Sequence, residues 1–313
     1  MTSDSTTIDG DAAIRLRGVS KRYGALTAVD GVDLAVPRGQ LLGLIGHNGA
    51  GKSTLFKMML GLIRPSAGQI LVNGSDVGGR DFRAARRSIG YLPENLVLYD
   101  NLTALETLQF FAKLKGAPAA QCAPLLEQVG LAGAAQRAVR EFSKGMRQRL
   151  GFAQALLGAP RVLFLDEPTT GLDPSAIREF YAVLNGLRAQ GVTLVITSHI
   201  LAELQERVDR LAIMANGRVQ AQGSVSELRE QLQLPLQVSL AAAPAEHPAL
   251  REGLRPLGSL QFREAEGRLS FSCPRPAKMA LLGALAPLAA RLQDVQIHEP
   301  TLEDMFFGLR EAP

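Results

Sequence analysis

Cysteine is scarce. The 313 residues hold two, Cys122 and Cys273, far apart and without C-x-x-C spacing, which argues against a disulfide framework and against a paired-cysteine zinc site. Long hydrophobic runs are missing as well. The longest, Met279 to Ala290, reaches twelve residues only by counting a Gly and a Pro, whereas a spanning helix needs about 18 to 20. A secretion signal is not visible, because Asp4, Asp9 and Asp11 stand where such a signal is basic and then apolar. The chain is therefore expected to stay in the cytosol. A strong net charge is lacking too: +4 is too small to argue for nucleic acid. No internal repeat, coiled-coil heptad or low-complexity tract interrupts the pattern. What remains is 46% hydrophobic and 20% charged residues with mean hydropathy +0.07, the range of ordinary globular chains and outside that of disordered or fibrous ones. The length suits one large domain, or a domain of about 200 residues plus a small one.

The modest charge is unevenly placed, with residues 1–223 at net +6 and residues 224–313 at net −2. Residues 1–13 are expected to be a flexible N-terminus. From Ile14 to Gly223 short apolar runs alternate with amphipathic stretches, the signature of an α/β domain. Leu41–Ile45, Val162–Leu165 and Thr193–Ile196 are apolar on both faces and too short for helices, as covered parallel strands are. Ligands of open parallel sheets bind at the carboxyl ends of strands, so the segments after these three runs are where chemistry is expected. Composition shifts near Ser224 toward Ala, Leu and Pro. Residues 224–240 read as a linker region, 241–250 as a connector, and 241–313 as a small C-terminal α+β domain. At its end, Pro300, Thr301 as N-cap with Asp304, and Leu302, Met305, Phe306 and Leu309 at helical spacing predict a short amphipathic helix.

Directly after the first strand comes Gly46-His47-Asn48-Gly49-Ala50-Gly51-Lys52-Ser53-Thr54, followed by an apolar helix pattern. It fits G-x-x-x-x-G-K-[ST] in the required strand-to-helix context. Such a loop turns backbone N–H groups inward around phosphates, Lys52 can reach the β- and γ-phosphates, and the Ser53 hydroxyl can bind Mg2+. The second strand ends in Asp166 and Glu167: one carboxylate suits Mg2+, the other can polarise an attacking water. Together these motifs point to hydrolysis of a nucleoside triphosphate. The Asn/Thr-Lys-x-Asp reader of guanine is absent, which favours adenine. A further segment, Phe142 to Arg149, starts a helix pattern with Ser143 at the N-cap position, a second anion site without its own lysine or simply a cap.

With these residues in order, residues 14–223 resemble the nucleotide-binding subunit of ABC transporters. The resemblance implies a P-loop cassette with a mostly parallel core sheet, an antiparallel β subdomain and a helical subdomain. Tyr23 then corresponds to the aromatic that stacks on adenine, and Gly46, Asn48, Gly49, Ala50, Gly51, Lys52, Ser53 and Thr54 to the phosphate loop. YLPE (91–94) falls at the Q-loop, with Glu94 where the family usually has Gln. Phe142-Ser143-Lys144-Gly145-Met146 resembles the LSGGQ segment, so Ser143, Lys144 and Gly145 would touch ATP in trans; Met146 replaces the usual Gln and cannot make that polar contact. Ser53, Glu94 and Asp166 would hold Mg2+, Glu167 would be the general base, His199 the switch histidine, and Asp173 the D-loop residue coupling the two sites.

The resemblance further implies ATP and Mg2+ as ligands, a head-to-tail homodimer, and a separate transmembrane permease touched by residues 94–99. The subunit would lie on the inner face of the membrane through that permease, with a periplasmic partner in some systems and no nucleic acid. The ending Glu-Pro-Thr-Leu-Glu-Asp-Met-Phe (299–306) resembles two-component exporters, among them the transporter supporting copper-site maturation of nitrous oxide reductase. A drug or other small-molecule exporter, and a non-transport ATPase acting on ribosomes or DNA, are the alternatives.

Overall fold

The computed structural model describes residues 12–198, 204, 206–231, 235–265 and 267–299. The chain forms two compact units, Met1–Ser224 and Val225–Pro313. The N-terminal residues 1–11, His199 and the expected helix after Pro300 lie outside the described residues.

In the first unit, β1 (Ala12–Tyr23), β2 (Leu26–Pro37), β4 (Ala67–Val72) and β5 (Ser75–Asp76) pair antiparallel in the order β2-β1-β4-β5. The second sheet has the order β10-β9-β3-β8-β7-β6, built from β3 (Leu41–Gly46), β6 (Ile89–Leu92), β7 (Val162–Asp166), β8 (Thr193–Thr197), β9 (Arg210–Ala215) and β10 (Arg218–Gly223). Its strands run parallel except for β10. The three apolar runs expected to be strands are therefore the adjacent core strands β3, β8 and β7, each buried along its length except at the last residue of β3 and of β7. Parallel strands with both faces covered need unbroken apolar sequence, which is why the runs do not alternate.

Helix α1 (Lys52–Met59) fills the space between the sheets with Leu55, Phe56, Met58 and Met59. The ring of Phe56 meets Phe164 of β7 edge-on at 5.3 Å, a geometry that the ring quadrupoles favour. Burying a side chain of this size contributes about 2 to 3 kcal/mol. The helical part consists of α3 (Ala104–Lys115), α4 (Cys122–Gln128) and α5 (Lys144–Leu156), preceded by the short α2 (Phe82–Ala85). Thr103 and Glu106 close a reciprocal capping box on α3, satisfying two N–H groups that the first turn leaves open. Helix α6 (Pro174–Ala189) follows β7 and takes Asp173 as its N-cap.

The second unit is a β-α-β-β-α-β arrangement: β11 (Leu236–Ala241), a helix at His247–Leu254, β12 (Arg263–Ala265), β13 (Arg268–Cys273), a helix at Lys278–Leu285 and β14 (Asp294–His298). The antiparallel order β12-β13-β11-β14 puts β11 in the sheet interior. Residues 224–240 are thus corrected from linker to structure: a helix at Val225–Gln231, then a central strand whose Leu236, Val238 and Leu240 face the core. The connector reading of 241–250 is corrected likewise, since His247–Leu254 is helical. Prolines 244 and 248 suggested a loop, but each lies in the first turn of its helix, where the missing N–H costs nothing.

Candidate functional site

The turn from β3 into α1 is shaped by its glycines. At Gly51 φ is 101°, and a Cβ would stand 2.5 Å from the carbonyl oxygen of Ala28. At Gly46 a Cβ would stand 2.6 Å from the carbonyl of Met214 on β9. Only glycine lets the loop lie this close to its neighbours. Gly51 also caps α1 without a side chain, so the first-turn N–H groups are left to an external acceptor. The loop, with Leu26, Thr27 and Ala28 on one side and Asn216 and Gly217 on the other, encloses a cleft of about 610 Å3.

Lys52 is half-buried and folds back, its Nζ donating to the carbonyls of Gly46 and His47. Burial lowers its pKa, while the nearby carboxylates of Glu167 and Asp166 oppose that shift. The amine therefore faces two negative charges and a glycine-bounded cradle of free N–H groups. This donor set fits a polyphosphate and an associated divalent cation.

Asp166 and Glu167 are held by a residue that the sequence reading missed. The register of the sheet sets Asp166 beside Thr197. Thr197 Oγ1 donates to Asp166 Oδ1 at 2.6 Å and accepts the Glu167 N–H at 3.0 Å. Glu167 takes φ 48°, a left-handed conformation costing a non-glycine residue about 1 kcal/mol or more. Buried Gln148 of α5 donates to the carbonyl of Pro168 at 3.0 Å, tying the helical part to the same turn. Tyr91 of β6 has its pKa raised first by burial, then by the charges of Asp166 and of exposed Glu94.

The other expected residues stand apart from the cleft. Ser143 caps α5, its Oγ accepting the Met146 N–H at 3.2 Å. The Lys144 side chain lies against Gly171, and Leu172 approaches Gly145. Asp173 spends one oxygen on the Ala176 N–H at 2.8 Å. Neither these residues nor Tyr23 line the cleft; Tyr23 stands exposed at the β1 end of the β1–β2 hairpin, with Lys21 Nζ 5.1 Å from its ring centre. The Asn216-Gly217 wall was also missed. Its signal was present, because Asn-Gly between apolar runs marks a tight hairpin turn, here joining β9 to β10.

A phosphate loop after a parallel strand, with a carboxylate pair at the end of the next strand but one in the sheet, defines the P-loop NTPase class. A family model described as ABC transporter matches residues 29–170. The daunorubicin resistance ATP-binding protein DrrA3 of Streptomyces coeruleorubidus is 36% identical over 307 residues, covering 96% of each chain. ATP-binding cassette sub-family A member 7 of Rattus norvegicus is 36% identical over 310 residues, 95% of this chain, although the chain spans only 14% of that protein. A solved structure of an ATP-binding subunit of an ABC transporter superposes with TM-score 0.66 at 35% identity, covering 70% of this chain and 92% of that one. The chain belongs to the ATP-binding proteins of the ABC transporter family, and is the ATP-hydrolysing subunit of such a transporter. Among the described residues no helix is long and apolar enough to cross a membrane.

Proposed function

We propose that two copies of the chain close head to tail on two ATP molecules and drive export of a small molecule through a separate transmembrane permease. The observation that carries the export reading is the likeness to DrrA3, which runs across both units and covers 96% of each chain. The resemblance to the copper-site maturation transporter rests on residues 299–306, of which Glu299 alone is described.

In this reading the first-turn N–H groups of α1 and the Lys52 amine hold the phosphates. Ser53, Asp166 and Glu94 would hold Mg2+, which supplies charge neutralisation when bound. Glu167 takes the proton of the attacking water, and Thr197 fixes the Asp166 carboxylate and the backbone N–H of Glu167. Ser143, Lys144 and Gly145 lie outside their own cleft and serve the partner copy, with Asp173 between the sites. Tyr23 stacks on adenine from the hairpin beside the cleft, and His199 contacts the γ-phosphate. Loss of the γ-phosphate removes the bridge between copies, so hydrolysis opens the dimer. Docking on the permease holds the subunit at the inner face of the membrane.

The test is to trap Glu167→Gln with ATP in the native host, solubilise the membranes and identify what accompanies it. A polytopic membrane protein is expected. Ribosomes or DNA without a membrane protein would overturn the transport reading, and copper-handling periplasmic proteins would redirect the cargo.

A further inference from the structure

Helix α5 begins at the segment read above as reaching the partner's ATP, and its first turns rest on residues 168–172, which directly follow Glu167. Lys144 and Gln148 are four residues apart and so share one face of the helix. A Cβ at Gly171 would stand 2.8 Å from Lys144 Cδ, and one at Gly145 would stand 3.6 Å from Leu172 Cδ2. On the same face Gln148 Nε2 donates to the Pro168 carbonyl at 3.0 Å. The Thr170 N–H donates to the Glu167 carbonyl at 3.2 Å and the Leu172 N–H to the Thr169 carbonyl at 3.0 Å. Residues 167–172 are thus folded into consecutive turns, and a pull at Pro168 reaches Glu167.

A second tie runs from α5 to α6, where Arg149 Nη2 meets Glu179 Oε2 at 3.0 Å with side chains 29% and 62% exposed. Solvent screening leaves such an ion pair little hold. Gln148 is only 7% exposed, and away from water a lost hydrogen bond strands a buried donor or acceptor. The Gln148 bond is therefore the stronger tie. It acts one peptide away from Glu167, whose φ of 48° persists only where the surroundings hold it. Thr197 holds the N–H side of that residue, and Gln148 holds the side toward Pro168.

We propose that Gln148 is a positioning residue that links the two nucleotide sites. Contact of Ser143 and Gly145 with the partner's ATP steadies α5, and Gln148 passes this through the Pro168 carbonyl to Glu167 of its own chain. This link rests on the head-to-tail reading and deepens it, because hydrolysis at each site becomes conditional on the nucleotide held at the other.

The experiment is ATP hydrolysis and nucleotide binding by the full chain. Gln148→Met keeps the side-chain length and loses the donor, so kcat should fall by about ten- to a hundredfold, the scale for a reacting group misplaced by up to about 1 Å. KM and the affinity for a fluorescent ATP should stay within about twofold, since phosphate binding does not pass through Gln148. Gln148→Glu, of the same shape and without the N–H, should behave alike, and retained nucleotide binding reports an intact fold in both. Mixed dimers, co-expressed with two tags and purified on both, give the direction of the link. With Gln148→Met in one copy and Glu167→Gln in the other, the one competent site lacks its tie. Its activity should fall about ten- to a hundredfold below that of a dimer of one wild-type and one Glu167→Gln copy. With both changes in the same copy, activity should match that reference dimer. Loss only in the second arrangement would assign Gln148 to the trans contact of its helix start and overturn the proposal. A Glu167→Gln protein that stays monomeric with ATP in light scattering would overturn the head-to-tail reading and this link with it. An ATP-dependent dimer whose Gln148→Met kcat remains within about twofold of wild type would overturn the link alone.

Discussion

Replacing Thr197 by Val is the sharpest test of how Asp166 and Glu167 are held. The two side chains have nearly the same shape, and Thr197 is 1% exposed, so little changes except the loss of the hydroxyl. That hydroxyl makes the 2.6 Å bond to Asp166 and receives the 3.0 Å bond from the Glu167 N–H. A hydrogen bond to a charged group contributes about 1.5 to 3 kcal/mol and a neutral one about 1 kcal/mol, so the fold is expected to lose about 2 to 4 kcal/mol. Glu167 already sits at φ 48°, and freeing its N–H lets it relax from the strained position. A carboxylate displaced by about 1 Å costs roughly a hundredfold in rate. Phosphate binding by the α1 loop does not involve Thr197, so kcat should fall between about ten- and a hundredfold while ATP affinity holds. Steady-state ATPase measurement and equilibrium binding of a fluorescent nucleotide read the two quantities, and Thr197→Ser should restore the rate. A kcat within twofold of wild type in a folded Thr197→Val protein would refute the reasoning.

Three further outcomes are expected. Gly51→Ala drives a methyl to 2.5 Å from the Ala28 carbonyl at φ 101°; it should cost about 2 to 4 kcal/mol in chemical denaturation and abolish nucleotide binding by calorimetry. Lys115 is held at about 8 against 10.5 for the free side chain: between those values the unfolded chain retains a proton that the folded chain has released, so unfolding free energy rises with pH there. Lys115→Met should remove that rise and stabilise the protein at pH 7 by about 1 to 2 kcal/mol after allowance for solvent screening, as urea titrations at several pH values would reveal. Glu94→Gln, which installs the residue usual at this place in the family, should raise ATP turnover in a steady-state assay, and unchanged turnover would count against Glu94 as a brake on hydrolysis.

What could be read in advance had short-range origins. The phosphate loop, the Asp166-Glu167 strand end and the three core strands are each encoded within about ten residues, because backbone freedom at glycine and strand burial act locally. Strand β11 escaped notice although Leu236, Val238 and Leu240 alternate correctly. The surrounding Ala and Pro outweighed a three-residue signal, and its partners β13 and β14 come later in the chain. Thr197 directly follows the apolar run Thr193–Ile196, and nothing local marks it. Its bond to Asp166 spans 31 residues and exists only because β7 and β8 are neighbours in register.

The sequence by itself determined the chemistry available to this protein: a lysine-bearing glycine loop, a carboxylate pair and a serine-capped helix start, each a local arrangement of a few residues. Tertiary structure alone decided which groups meet. It set Thr197 against the Asp166 carboxylate and the Glu167 N–H, brought the Asn216-Gly217 turn to the wall of the cleft around the glycine loop, and kept Ser143 away from that cleft. Those meetings depend on strand order and helix packing, which arise from burial summed over the whole chain and carry no local mark.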